Sequence, residues 1–302
     1  MIDYGQLKTI GKSLYKTNIP KEMKRYLVFL GRCCLHKKEI NDLQKFFAAS
    51  ALRKEILAGT PSLLEQTTRG FFYKDATWPE RINIVKRHVS FLEKTCQDRL
   101  LLKIYAQNEQ VPLWQSEFQE KPLTMDLWFH GGQRKEGCLS LALLWDKVDF
   151  YQIMFWLGPS LEDKKPALWI GALQGTSLGN DVVKAMTKQF FGYRTKNLIF
   201  YGIRNVAKLL GCQRIYAVTN EGYYAMNHVR INRKLKTNFG DFWEECGGVP
   251  SSDARFYEIP IAEARKDMSE MKPSKRANHR RRYELMDQIA TTMEQTLGQY
   301  VK

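Results

Sequence analysis

Gln174, Gly175 and Gly179 frame the stretch GALQGTSLGND, which follows an apolar run and precedes a helix-like pattern. Glycines let a backbone approach a ligand closely, and free N–H groups at a helix start attract anions. A second helix start, GYRTKN at 192–197, carries Arg194, Lys196 and Asn197. Either segment can receive a pyrophosphate or a carboxylate. The same residues also make ordinary turns and caps, and neither segment is a Walker A loop or a G-x-G-x-x-G fingerprint.

A second polar strand end is AVTNEGYYAM, where Asn220 follows the apolar run RIYAV and Tyr223 and Tyr224 come next. An Asn there can bond a ligand's amide and a tyrosine hydroxyl can donate a proton. Capping and packing are the plainer roles of the same residues. His130, in LWFHGG, ends another strand pattern at a glycine turn, where an imidazole can act as base. His36, His88, His228 and His279 lie in basic helical contexts that favour solvation or packing. No H-E-x-x-H, G-x-S-x-G or clustered His/Cys set occurs, so neither a metal site nor a serine-hydrolase triad is expected.

The elements that must position these residues follow from periodicity. Residues 1–110 place apolar side chains at mixed three- and four-residue steps, broken by GTPS and DATWPE, and read as helices. LTMDLWFH, GCLSLALLW, VDFYQIMFWLG and ALWIGAL are short, aromatic or aliphatic runs separated by turn residues, which predicts four antiparallel strands. Beyond Gly175 the period lengthens. Asn180 or Asp181 can cap a helix to about Phe191. A second helix from near Asn197 sets Ile199, Ile203, Val206 and Leu210 on one stripe, with Gly211 placed to end it. RIYAV is a buried strand, a basic helical segment follows Asn220, and ARFYEIPI is the last strand. From Lys275 an amphipathic helix turns Tyr283, Leu285, Met286, Ile289, Met293 and Leu297 to one side.

Charge is the strongest compositional signal: 302 residues carry a formal +15. Such a field attracts nucleic acid, anionic lipid or an acidic protein. Residues 265–282 hold eight Lys/Arg against two acids, and VRINRKLK at 229–236 holds four and none. Lys/Arg runs of this kind neutralise phosphates without reading sequence, or simply form a solvated face. Six cysteines without a C-x-x-C pair read as reduced thiols. No apolar leader is evident and no run approaches the roughly 20 residues of a membrane span. A cytoplasmic location is expected, with peripheral contact at the inner membrane open.

ALWIGALQG, GYRTKNLIFYGIRNVAKLLG, RIYAVTN, DFWEECGG and KPSKRANHRRRYELMD together resemble the VirK/YbjX family of bacterial proteins, over about Lys21 to Asp287. That resemblance implies a link to virulence and antimicrobial-peptide resistance. The order of elements is also similar to the GNAT acyltransferase fold. This second resemblance implies a donor arm lying between two splayed strands, WIGALQG and RIYAVTN, with its pyrophosphate at the loop before the central helix. Against the usual Q/R-x-x-G-x-G/A loop, Gln174 and Gly179 fit the first and last places, but Ser177 stands where the middle glycine belongs. An extra helix over 181–191 also intervenes. These departures leave acyl-CoA, acyl carrier protein or aminoacyl-tRNA open as donor; the latter two are acidic and suit a basic protein.

The expectation is therefore an α+β fold: a helical region over 1–110, a GNAT-like mixed sheet flanked by helices over 111–265, and a basic C-terminal helix over 266–302. The candidate site comprises Gln174, Gly175, Gly179, Arg194, Lys196, Asn197 and Asn220 for the donor, with Tyr224 or His130 moving the proton. A non-catalytic basic module docking on anionic lipid or RNA, through Arg280, Arg281 and Arg282, is the competing expectation.

Overall fold

The N-terminal third is helical because its apolar residues recur on one face of each segment and its breaks carry caps. The computed structural model describes residues 2–175, 179–227 and 238–302. Seven helices come first: α1 (Tyr4–Leu14), α2 (Pro20–Leu35), α3 (Lys37–Ala48), α4 (Ala51–Gly59), α5 (Ser62–Thr67), α6 (Trp78–Thr95) and α7 (Asp98–Leu101). The sharpest start belongs to α6, where Thr77 and Glu80 satisfy each other's backbone N–H groups in a capping box. A single π-helical turn over Leu102–Ala106 then leads into the sheet.

Among the described residues, eight strands form one sheet in the order β1-β2-β3-β4-β5-β6-β8-β7. They are β1 (Val111–Phe118), β2 (Lys121–Trp128), β3 (Leu139–Trp145), β4 (Val148–Pro159), β5 (Pro166–Gly175), β6 (Arg214–Val218), β7 (Val249–Pro250) and β8 (Phe256–Ile259). All neighbours are antiparallel except β5 and β6. The expected meander is β2 to β5. The sheet gains β1, which sequence patterning does not single out. As an edge strand β1 tolerates Pro112 and keeps polar residues outward, so its apolar signal is diluted. Two-residue hairpins join β1 to β2 and β3 to β4. Gln119, Glu120, Asp146 and Lys147 there adopt positive φ, as primed turns require.

The β5–β6 crossover carries α8 (Asn180–Gln189) and α9 (Thr195–Leu209). Gly211, at φ +72°, ends α9 as expected. Gly202 lets α9 lie close to Met125 and Leu141, which fixes the sheet face that α9 covers. The helix expected directly after Asn220 is replaced by a bridge of Tyr223 to Tyr73 and one 3-10 turn, Tyr224–Asn227. The next helix among the described residues is α10 (Phe239–Glu245). The basic stretch 229–236 and His228 lie outside the described residues. Helix α11 (Pro273–Gly298) buries Met286, Ile289, Met293 and Leu297 against α9 and β1.

On the opposite face α6 packs over β4. His88 pins it there: its Nδ1 accepts from Leu157 N at 3.1 Å and its Nε2 lies 2.7 Å from the Tyr105 hydroxyl. Complete burial pushes this imidazole down to about 3, so it stays neutral. The buried core runs without interruption from Leu7 to Tyr300. No helix among the described residues is long and apolar enough to cross a membrane.

Candidate functional site at the parting of the parallel strands

The only parallel ladder among the described residues is short. Ala167, Leu168, Trp169 and Ile170 pair with Arg214, Ile215, Tyr216 and Ala217, and there the ladder ends. Strand β5 continues to Gly175 along β4. The chain leaving β6 instead stays with β8: Val218 pairs with Phe256, and Thr219 N donates to Arg255 O at 2.8 Å. Among the described residues, 171–175 thus have no strand partner on their β6 side, and the two backbones part.

Gln174, Glu136 and Tyr223 meet across this parting. Asp126, Ala142, Gln152 and Gln174 lie opposite one another on β2 to β5, so they share a face. That row is one residue out of step with Met125 and Leu141, so Gln174 points away from α9. The β2–β3 loop folds back over the same face. Gly171 makes this possible, since a Cβ there would fall 1.8 Å from Glu136 O. Gln174 Nε2 donates to Glu136 Oε2 at 2.7 Å, and the Tyr223 hydroxyl donates to Glu136 Oε1 at 2.5 Å. Gln133 and Gln174 exchange amide hydrogen bonds at 2.8 and 3.0 Å.

Glu136 is 2% exposed. Desolvation pushes its carboxyl up to about 7, against the opposing pull of the Tyr223 hydroxyl, the Lys135 charge and Gln174. A carboxyl poised near neutrality can take a proton and return it at physiological pH. Tyr223 is raised well above the ordinary phenol range by burial and by the Glu136 charge, so it remains a donor.

The N-terminal helices hold this arrangement. Gln66 of α5 donates to Gly137 O at 2.7 Å and to Arg134 O, and Arg134 pairs with the fully buried Glu65 at 3.0 Å. The segment before α6 ties both banks together. Phe72 N donates to Lys135 O and Lys74 N to Gly222 O, each at 2.8 Å.

The expected site residues fall into two groups. Gln174 and Gly175 lie at the parting, and Tyr224 packs edge-on against Tyr223 and Phe71. His130 belongs to the same loop as Glu136, where its Nδ1 accepts from Gln133 N at 3.2 Å and its Nε2 lies 3.8 Å from Asp149. The rest gather near helix starts. Gly179 caps α8 and has open space at its Cβ position. Arg194 pairs with Glu245 at 2.8 Å, and Lys196 stacks on Phe242 at 3.7 Å. Asn197 lies in the first turn of α9, its Oδ1 buried with no hydrogen-bond partner among the described residues. Asn220 accepts from Phe239 N at 2.8 Å at the start of a later helix whose N-cap is Asn238. Ser177 lies outside the described residues.

Glu136 and Gln133 were not legible in sequence. GGQRKEG reads as a solvated charged turn, and only its folding back onto β5 desolvates the one acid in it.

Residues 18–295 match the family described as "Protein of unknown function (DUF535)". The "Uncharacterized protein YbjX" of Escherichia coli (strain K12) is 33% identical over 133 residues, 43% of this chain and 40% of that protein. Two sequences named "Uncharacterized protein" from Haemophilus influenzae are also similar. One is 28% identical over 131 residues, 42% of this chain and 43% of its own length. The other is 25% identical over 214 residues, 67% and 68%. The chain thus spans about two-fifths of the length of the first two relatives. No solved structure matches it. Because the family match runs over nearly the whole chain and YbjX is among the relatives, the protein belongs to the DUF535 family, in agreement with the resemblance carried by its motifs.

Proposed function

We propose that the protein is a GNAT-like transferase that moves an acyl or aminoacyl group from an acidic donor to an amine or hydroxyl. The observation that carries this reading is Glu136, a buried carboxyl titrating near 7 where the parallel strands part, bonded to Gln174 on one bank and Tyr223 on the other. Five antiparallel strands, a crossover of two helices and the parallel strand β6 are compatible with this reading.

In this reading the donor's carbonyl is presented at the parting. The acceptor attacks it directly, forming the new amide or ester bond as the donor's thioester or ester bond breaks. Glu136 takes the proton from the acceptor and returns it to the departing sulfur or oxygen. Tyr223 holds the carboxylate in place, and free backbone N–H groups of β5 steady the oxyanion. The formal charge of +15 would draw in acyl carrier protein or aminoacyl-tRNA, and acyl-CoA is the third donor class.

Thermal-shift and calorimetric titrations with acyl-CoA, acylated carrier protein and charged tRNA test the reading. At least one donor should raise the melting temperature and be consumed in the presence of an amine. Glu136→Gln should keep donor binding and lose roughly 100- to 10,000-fold in transfer rate. Silence from all three donors, or transfer undiminished in Glu136→Gln, overturns it.

A further inference from the structure

A cavity of about 220 Å³ opens on the α6 side of the sheet. Its floor is aromatic. Trp156 of β4 and Trp169 of β5 lie nearly parallel, 8° apart with ring centres at 6.1 Å, and Phe256 and Tyr73 meet them edge-on or tilted. Gly158 adjoins the edge of Trp169, where a Cβ would come into van der Waals contact with the indole nitrogen at 3.8 Å.

The charged groups around this floor divide into those already paired and those still available. Arg255 is committed, with a forked pair to Asp253 at 2.6–3.2 Å and a bond to Lys74 O at 3.2 Å. Glu80 is committed to the capping box of Thr77. Arg87, exposed on α6, has no hydrogen bond or ion pair among the described residues. Lys164 has none with a carboxylate there, its Nζ resting on Leu161 O at 2.8 Å. Both line the cavity and also a shallower hollow of about 460 Å³ beside it, where Lys94 adds a third cation.

We propose that this cavity is a binding site for a small aromatic anion: one flat ring system on the tryptophan floor, with a phosphate or carboxylate held by Arg87 and Lys164. A ring gains apolar contact with the edges of Trp156 and Trp169, which are 3% and 7% exposed, and desolvation of its own faces. The anion gains two cations that no protein carboxylate neutralises. The volume lies below the ~300–1,000 Å³ of sites for drug-sized ligands, which limits the buried part to a single ring system. Glu136 does not line this cavity, although Trp156 abuts the same Gly171, and binding here needs no acyl donor.

Calorimetry and tryptophan fluorescence on the full chain, with AMP, phenyl phosphate, adenosine and inorganic phosphate, test the proposal. AMP or phenyl phosphate should quench fluorescence saturably with a Kd below ~1 mM. Which of the two binds tighter identifies a nucleotide or a simple aromatic acid. The double variant Arg87→Ala/Lys164→Ala, both exposed, should weaken that binding at least tenfold, keep the parent melting temperature and leave any adenosine binding unchanged. The proposal is overturned if neither aromatic anion saturates, if inorganic phosphate binds as tightly as AMP, or if the double variant binds like the parent.

Discussion

Glu136 gives this protein a pH dependence of its own near neutrality. Its folded value of about 7 lies above the ordinary 4.5, so the folded chain holds the proton more tightly than the unfolded chain does. Below about pH 4.5 both states are protonated and the group contributes nothing. As pH rises towards 7 the unfolded state ionises freely while the folded state must ionise a desolvated group, and stability falls. With about 1.4 kcal/mol per pH unit, the full effect is roughly 3 kcal/mol, reached just above pH 7. Replacing Glu136 by Gln removes the titration. The stability of the variant relative to the parent should therefore climb by roughly this amount between pH 4.5 and 7 and level off above. Urea unfolding across that range is the check, and a flat difference would mean an ordinary carboxyl. If Glu136 is also the base, the transfer rate should fall as pH drops through about 7, and Glu136→Gln should lose that limb.

At the level of elements, the contact between the β2–β3 loop and β5 is the joint on which the site depends. Gly171 sits at a β4–β5 register shift with no room for a side chain, because Glu136 O and Trp156 occupy the place. A methyl group there must displace backbone rather than the flexible end of a side chain. Gly171→Ala is therefore expected to cost about 1–3 kcal/mol and to move the Glu136 carboxyl. Denaturant unfolding reads the first effect, and loss of the titration near pH 7 reads the second. The strands on both sides of this joint were legible from their aromatic and aliphatic runs. So was α9, whose stripe Ile199, Ile203, Val206 and Leu210 is buried as the period requires. The joint itself was not. A glycine inside an apolar run and a glutamate inside a polar loop are each unremarkable in isolation, and their meeting is a fact of tertiary packing.

At the scale of the whole molecule, the positive charge is spread unequally between structural and free groups. Arg282 on α11 is half buried and donates to Phe191 O at 2.9 Å, whereas Arg280 and Arg281 are exposed. Treating the three as one interchangeable patch is therefore unsound. Arg280→Gln with Arg281→Gln should leave thermal stability within about 0.5 kcal/mol, while Arg282→Ala should cost about 1 kcal/mol. Thermal melts of the two variants separate these outcomes. Neutralising Arg280 and Arg281 should instead slow association with an acidic donor, an effect that fades as salt is raised.

Apolar periodicity and turn chemistry determined the local elements, since each depends on residues a few places apart: the helical first third, the meander, α9 with its glycine stop, and the buried stripe of α11. Motifs spaced along the chain determined the family. Only the tertiary structure decided that the parallel ladder stops at Ile170 and that α5 presses a charged turn against the sheet. Only there does Glu136 lose its water between Gln174 and Tyr223. Desolvation depends on what the distant chain places over a group, and residues 66, 136, 174 and 223 share no local pattern that could announce it.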